Sequence, residues 1–390
     1  MQKKIIALLF VFILFNCKNG ETKKEFLITN TKEHELFLNK DRTININISE
    51  DVYYYSFLTQ IYSENNTSYL IRQRNRTSDL GIDIIDLSTN KYIKSIKVEK
   101  EGDNGVGRLA SFYYINNDSI LLLNDTSVIT IDSDSKVTSR KPFINSNDDY
   151  FPTVVSNKTK SFIKGDNFFF SKLSFSHPSK NDFFETNNIF SFNLKNFKGE
   201  EVPNTFFSEK HLNKCWAYSD ADFYSTYNEK ANELLFSFPI DDNIYKYSLA
   251  SKKITEIIPS KSSYKKARVN SINCNSIRSF DEKKHNYTNF YYSFIIFDKY
   301  KNLYYRMGLL PEENYSSKNN YKNFDRKFVI TILNSSMEVV GETKVLNSKL
   351  EYVYFDWFLN QEGLWISSNN PKNDLFNENT LSYTLFKLEK

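Results

Sequence analysis

Tyr114-Ile115-Asn116-Asn117-Asp118-Ser119-Ile120-Leu121-Leu122-Leu123 reads as an aromatic strand, a polar turn and an apolar strand. A second hairpin follows it directly, Ile129-Thr130-Ile131-Asp132-Ser133-Asp134-Ser135-Lys136-Val137. Asn and Asp at the turns tolerate left-handed backbone and bond to their own chain, whereas the flanking β-branched and aromatic residues suit a pleated surface. The first type returns at Tyr227–Phe236, at Ile296–Tyr305 and at Phe358–Ile366. The second type returns at Ile84–Ile93, at Phe192–Glu200, at Tyr247–Ile254 and at Ile332–Val339.

Where both occur they alternate. One of each makes a four-stranded antiparallel sheet of about 45 residues, the size of a propeller blade. Turn clusters recurring every eight to twelve residues, with no long amphipathic helical stretch, point the same way. The expectation is an all-β chain, a β-propeller of six or seven blades, with a large β-sandwich as the competing architecture. Blades are expected near 52–99, 108–143, 151–203, 212–259, 286–346 and 350–389, and 260–285 as a loop or insertion. A strand at Thr43–Ile48 would complete the last sheet and spare the ring two exposed edges.

The N-terminus carries an address. Lys3 and Lys4 precede the apolar run Ile5–Phe15, which is shorter than the ~20 residues a spanning helix needs and therefore reads as a signal peptide. Leu14-Phe15-Asn16-Cys17 resembles a lipobox, with Asn16 where Gly or Ala is usual. On that reading 1–16 is removed, Cys17 is acylated, 17–40 is a polar tether and 41–390 is a single propeller domain. Several acyl chains together anchor stably, whereas one does not. Lys18, in place of Asp, resembles outer-membrane sorting. The expected location is the cell envelope, on the periplasmic or the surface side.

Composition narrows the partners. Fifty-one basic and 47 acidic residues are interspersed, so there is no basic stripe for nucleic acid. The chain holds 34 Phe and 26 Tyr against 10 Gly. Its four histidines are scattered and no two of them lie at helical spacing, so no metal or other cofactor is expected. Cys215 and Cys274 form either a disulfide, which an oxidising compartment permits, or two buried thiols.

Glu101-Gly102-Asp103-Asn104-Gly105-Val106-Gly107, with Asp86–Lys91 before it, Gly363–Pro371 and Leu381–Leu388, resembles the domain of unknown function 4221 family of bacterial lipoproteins. Beyond that family it is similar to six-bladed propeller lipoproteins. The resemblance implies a propeller in a lipoprotein and carries no activity.

Candidate sites are thin. The Gly102–Gly107 run lacks the strand–helix context of a nucleotide loop and reads as a turn between blades. Asp132–Ser135 has Val137 and Phe143 where a calcium loop needs Gly and Glu, so it reads as a hairpin turn. Asp241-Asp242-Asn243 reads as another. His211 is a conceivable base for Cys215, although a strand there aims neither at a pocket. Tyr305, Arg306, Trp365 and Trp216 are taken as candidate binding residues, since aromatics with an arginine suit a sugar or a peptide. The leading functional expectation is a non-catalytic binding protein anchored in the membrane, its partner an envelope protein, peptide or glycan. The alternative is a hydrolase or lyase acting at the central channel.

Overall fold

A computed structural model describes residues 36–76, 79–108, 111–143, 155–172, 180–277, 279–312, 315–316, 326–347 and 350–390. The signal peptide, Cys17 and all but the last residues of the expected tether lie outside these. The described chain is a six-bladed β-propeller of antiparallel four-stranded sheets. The innermost strands, one per blade in chain order, are Thr59–Glu64, Ser111–Asn116, Phe162–Lys164, Tyr224–Asn228, Tyr291–Asp298 and Val353–Leu359. Each expected blade contains one of these sheets. In the fifth, a two-residue strand, Leu346–Asn347, pairs additionally with Lys327–Leu333. The 260–285 segment is an insertion, ending in a short helix, Phe280–Thr288, which is capped where the Ser279 hydroxyl accepts the Asp281 N–H.

The turns are built as their residue types demand. A strand-ending Asx side chain accepts the amides that follow it: Asp86 from Ser88 at 2.7 Å, Asn193 from Asn196 at 3.0 Å, Asp298 from Tyr300 at 2.9 Å and Asn360 from Glu362 at 3.0 Å. Asn66, Asn90, Asn232 and Asn302 take the left-handed backbone, which Asn adopts at little cost. Gly102 and Gly107, at φ of 90° and 71°, shape the link from the first blade to the second, and no nucleotide loop forms. Asp132 Oδ1 accepts the Asp134 and Lys136 amides, which makes that stretch a hairpin turn.

Phe and Tyr fill the wedges between blades. Phe143, Phe170 and Phe190, for example, meet at 5.3–5.8 Å between the second and third. Large flat rings suit these tapering gaps, because each buries much apolar area and tilts against its neighbours.

The ring closes in two ways. The N-terminal strand, Phe37–Asn47, is the outermost strand of the last blade and pairs antiparallel with Thr380–Glu389. It begins at Phe37 rather than within 43–48, so the propeller starts a few residues before position 41. Its buried Leu38 and Ile46 face inward. The second closure is polar. Asp356 on the innermost strand of the sixth blade is wholly buried and accepts the Ser56 N–H at 2.9 Å and the Tyr383 hydroxyl at 3.0 Å. It also pairs at 3.4 Å with Arg72 of the first blade.

Cys215 and Cys274 are joined as a disulfide, with Cα atoms 5.1 Å apart across 59 residues of sequence. The bond fastens the insertion beside a backbone bridge, Ile272 N–H to the Cys215 carbonyl. A loop of that length contributes about 4 kcal/mol in the chain-entropy account.

Removing one partner of a buried ion pair strands the other. Asp356→Ala is therefore expected to lower stability by about 3–5 kcal/mol in equilibrium urea unfolding. Removing the carboxylate of the exposed pair between Lys252 and Glu200 should cost under about 1 kcal/mol.

Candidate functional site

The six innermost strands surround an axis, and a strap crosses it. Residues 155–161, which lead into the third blade, reach across to the seam between the first and sixth. There Asn157 donates its N–H to the Phe57 carbonyl, and Asn157 Oδ1 accepts the Thr59 N–H at 2.9 Å. Asn157 Nδ2 donates to the Phe355 carbonyl at 3.0 Å. The strap then pairs with the fourth blade, on the other side of the ring, where the Lys158 carbonyl accepts the Ser225 N–H at 3.1 Å. Thr159 forms a parallel bridge with Ser225. A buried amide with all its bonds made is hard to displace. The strap thereby splits the axis into two cavities.

The larger cavity, about 520 Å³, opens on the face that carries the first hairpin turn of each blade. All six blades contribute to it. Its walls mix polar and aliphatic side chains with the rings of Phe112, Tyr113, Phe162, Tyr227, Phe297 and Trp357. Phe162 and Tyr227 stack at 4.3 Å. Three lysines, Lys160, Lys164 and Lys299, and one glutamate, Glu229, line it. Glu229 pairs with Lys299 at 3.6 Å near the mouth.

Lys160 projects from the strap with its ammonium 4.3 Å from the Trp357 ring centroid. Loss of water holds its pKa down to about 7, with the Asp356 carboxylate pulling the other way. Part of the side chain still faces the cavity. Among the described residues it has no ion-pair partner.

The smaller cavity, about 240 Å³, lies on the face of the inter-blade links and is lined by Phe57, Lys158, Lys172, Asp222, Tyr224 and Phe355, among others. The Tyr224 hydroxyl donates to Asp222 at 3.3 Å. Burial pushes the Asp222 carboxyl above its usual range, and burial and Asp222 push the Tyr224 phenol well above its own.

The candidates picked from sequence occupy other places. Tyr305 and Arg306 lie on the second strand of the fifth blade, fully buried. The Tyr305 hydroxyl donates to Asp298 at 2.8 Å. Arg306 sits 3.4 Å from the Tyr292 ring centroid and donates to the carbonyls of Asp241, Asp242 and Ser260, joining the fourth blade to the fifth. Trp216 is buried and donates to the His211 carbonyl at 2.8 Å. Trp365 stacks on Phe358 and reaches only a cleft at the outer edge, beside Arg42. None of the four lines the axial cavities.

Asp241 accepts from Lys210 and from Tyr245, so it serves a turn and its surroundings. Cys215 is in the disulfide, which leaves His211 no thiol to activate. Burial pushes the His211 imidazole down to about 4. Among the described residues no group of three or more His, Cys, Asp or Glu side chains is placed to hold a metal. The axial residues Asn157, Lys160 and Trp357 were not singled out from sequence. The polar run Ser156–Ser161 was a legible signal, because it interrupts the strand pattern just before the third blade.

A family described only as a domain of unknown function (DUF4221) matches residues 34–344. A crystal structure of a member of that family from Bacteroides vulgatus is 24% identical, with a TM-score of 0.81, over 92% of this chain and 100% of its own. That likeness shows the fold. A putative exported protein from Bacteroides fragilis aligns at 12% identity with a TM-score of 0.48, over 91% of this chain and 95% of its own. A luciferin-regenerating enzyme aligns at 9% identity with a TM-score of 0.44, over 89% and 97%. Among curated proteins none matches.

Lys160 supplies a pH test. Its folded pKa lies below the unfolded value of about 10.4, so protonating it in the native state costs free energy. That cost is fully present below about pH 7 and fades as pH rises toward the unfolded pKa. Lys160→Met is expected to melt above the wild type at pH 6, with the two curves converging by about pH 10.

Proposed function

This chain belongs to the DUF4221 family, and we propose that it is a membrane-anchored, non-catalytic binding protein of the bacterial cell envelope that takes a small ligand into the larger axial cavity. The observation that carries this reading is the cavity itself. Its volume of about 520 Å³ falls in the range of small-molecule sites, and six blades converge on it with several aromatic rings among polar groups. The strap supports a pocket with one mouth in preference to a pore, since Asn157 is bonded across the seam at its closed end. Rings of sugars or of aromatic side chains pack on such walls, which suits a glycan end or a peptide side chain.

The anchor is the sequence part of the proposal. Lys3, Lys4, the Ile5–Phe15 run and Cys17 support export, acylation and retention on a membrane, with the outer membrane favoured by Lys18. The disulfide is in keeping with an oxidising compartment.

Two experiments test the proposal. Glycan and peptide panels are screened by thermal shift against the wild type and against Ile163→Trp, which fills the cavity from its wall. A ligand that stabilises only the wild type is expected, whereas equal shifts in both proteins would place binding elsewhere. Cys17→Ser is expected to leave the protein out of the membrane fraction and without incorporated fatty acid. Retention of the variant on membranes would defeat the anchor.

A further inference from the structure

The charge balance of the larger cavity is lopsided. Three lysines and one glutamate line it, and the glutamate is engaged with Lys299 at the mouth. Lys160 and Lys164 remain, neither of them in an ion pair among the described residues. Lys160 is the deeper, carried on the strap and set against Trp357. The acid whose charge reaches it is Asp356, on the same strand as Trp357. Its oxygens are already committed to Ser56, Arg72 and Tyr383 across the blade seam. A largely buried cation at the floor of a cavity, with no carboxylate to meet it, is unfavourable in the empty protein, and it is relieved when a ligand brings the anion.

We infer that the ligand of this cavity is an acid: a molecule with a single carboxylate, received by Lys160, on a flat-faced ring that packs against the aromatic side chains of the cavity wall. The inference rests on the reading of the cavity as the ligand site. Two kinds of ring carry this chemistry, an aromatic acid and a uronic acid. The geometry is common to both, for each has one flat face and one anionic end. A ring packed on that wall can carry its acid to the ammonium on the strap. A neutral ring would leave Lys160 buried and uncompensated, so affinity turns on the charge and not on the ring alone. Lys164, nearer the rim at the turn after the third innermost strand, adds attraction along the entry path without direct contact.

The test uses matched pairs, titrated by calorimetry into the full folded domain at pH 6.5: phenylacetate against phenylacetamide, and glucuronate against glucose. At least one acid is expected to bind about tenfold or more tightly than its neutral twin, the size of a charged hydrogen bond gained. Lys160→Met is expected to abolish the preference while its melting curve shows it folded. Lys164→Met is expected to reduce the preference without removing it. The pair that responds identifies the ring. Neutral twins binding as tightly as the acids, or a preference that survives in Lys160→Met, would overturn the inference and leave the cavity reading standing. If none of the four binds the wild type, the cavity reading fails together with the inference.

Discussion

A propeller is a ring, and the carboxylate of Asp356 is where this ring is locked. Five seams are made by consecutive segments of chain, but the sixth must join the first blade to the last. Asp356 does so from the sixth innermost strand, gathering the Ser56 amide, the Arg72 guanidinium and the Tyr383 hydroxyl into one buried cluster. Nonpolar packing alone would permit small slips between the two blades. A buried charge with three donors fixes their register, because any slip strands a charge in the interior. The N-terminal strand adds an outer closure by pairing with Thr380–Glu389, which completes the last sheet from both ends of the chain.

The same strand that locks the ring also furnishes the site. Phe355, just before Asp356, offers its carbonyl to Asn157 and so seats the strap. Trp357, just after it, lies under the Lys160 ammonium. Closure, strap and cation therefore depend on three consecutive residues. A disturbance of the seam would move the cavity wall with it, which is why stability and binding are expected to be coupled at this blade more than at the other five.

The fold was legible in the sequence for a local reason. Asx residues at strand ends and left-handed Asn in the turns act over a few residues, and their spacing recurs with each blade. The alternation of two hairpin types thus showed blade order and approximate blade bounds, with six or seven blades expected. The site was not legible in the same way, because position along a strand does not encode distance from the axis. Tyr291–Asp298 is buried at every residue, so even the two-residue period that separates inner from outer faces vanishes there. Tyr305, Arg306, Trp216 and Trp365 have the residue types of a binding site, yet their polar atoms meet neighbouring blades, turns and backbone carbonyls. Lys160 looks ordinary in a chain rich in lysine. Its distinction comes from a strap that leaves the strand pattern and crosses the ring, with bonds to residues about 100 positions before it and about 200 after.

The strap also explains how one fold holds two chemically different ends. Asn157, Lys160 and Ser161 line the larger cavity, whereas Ser156, Lys158 and Thr159 line the smaller one. A propeller with an open channel would have one continuous axial environment, with water screening its charges throughout. Here a single segment blocks the axis, and Lys160 on one side and Asp222 on the other are each displaced from their ordinary pKa by burial. Burying two ionisable groups costs stability, and the packed aromatic wedges between blades are large enough to offset it. The two ends therefore differ in charge as well as in size, with an ammonium against the Trp357 ring on one side and a carboxyl under the Tyr224 hydroxyl on the other.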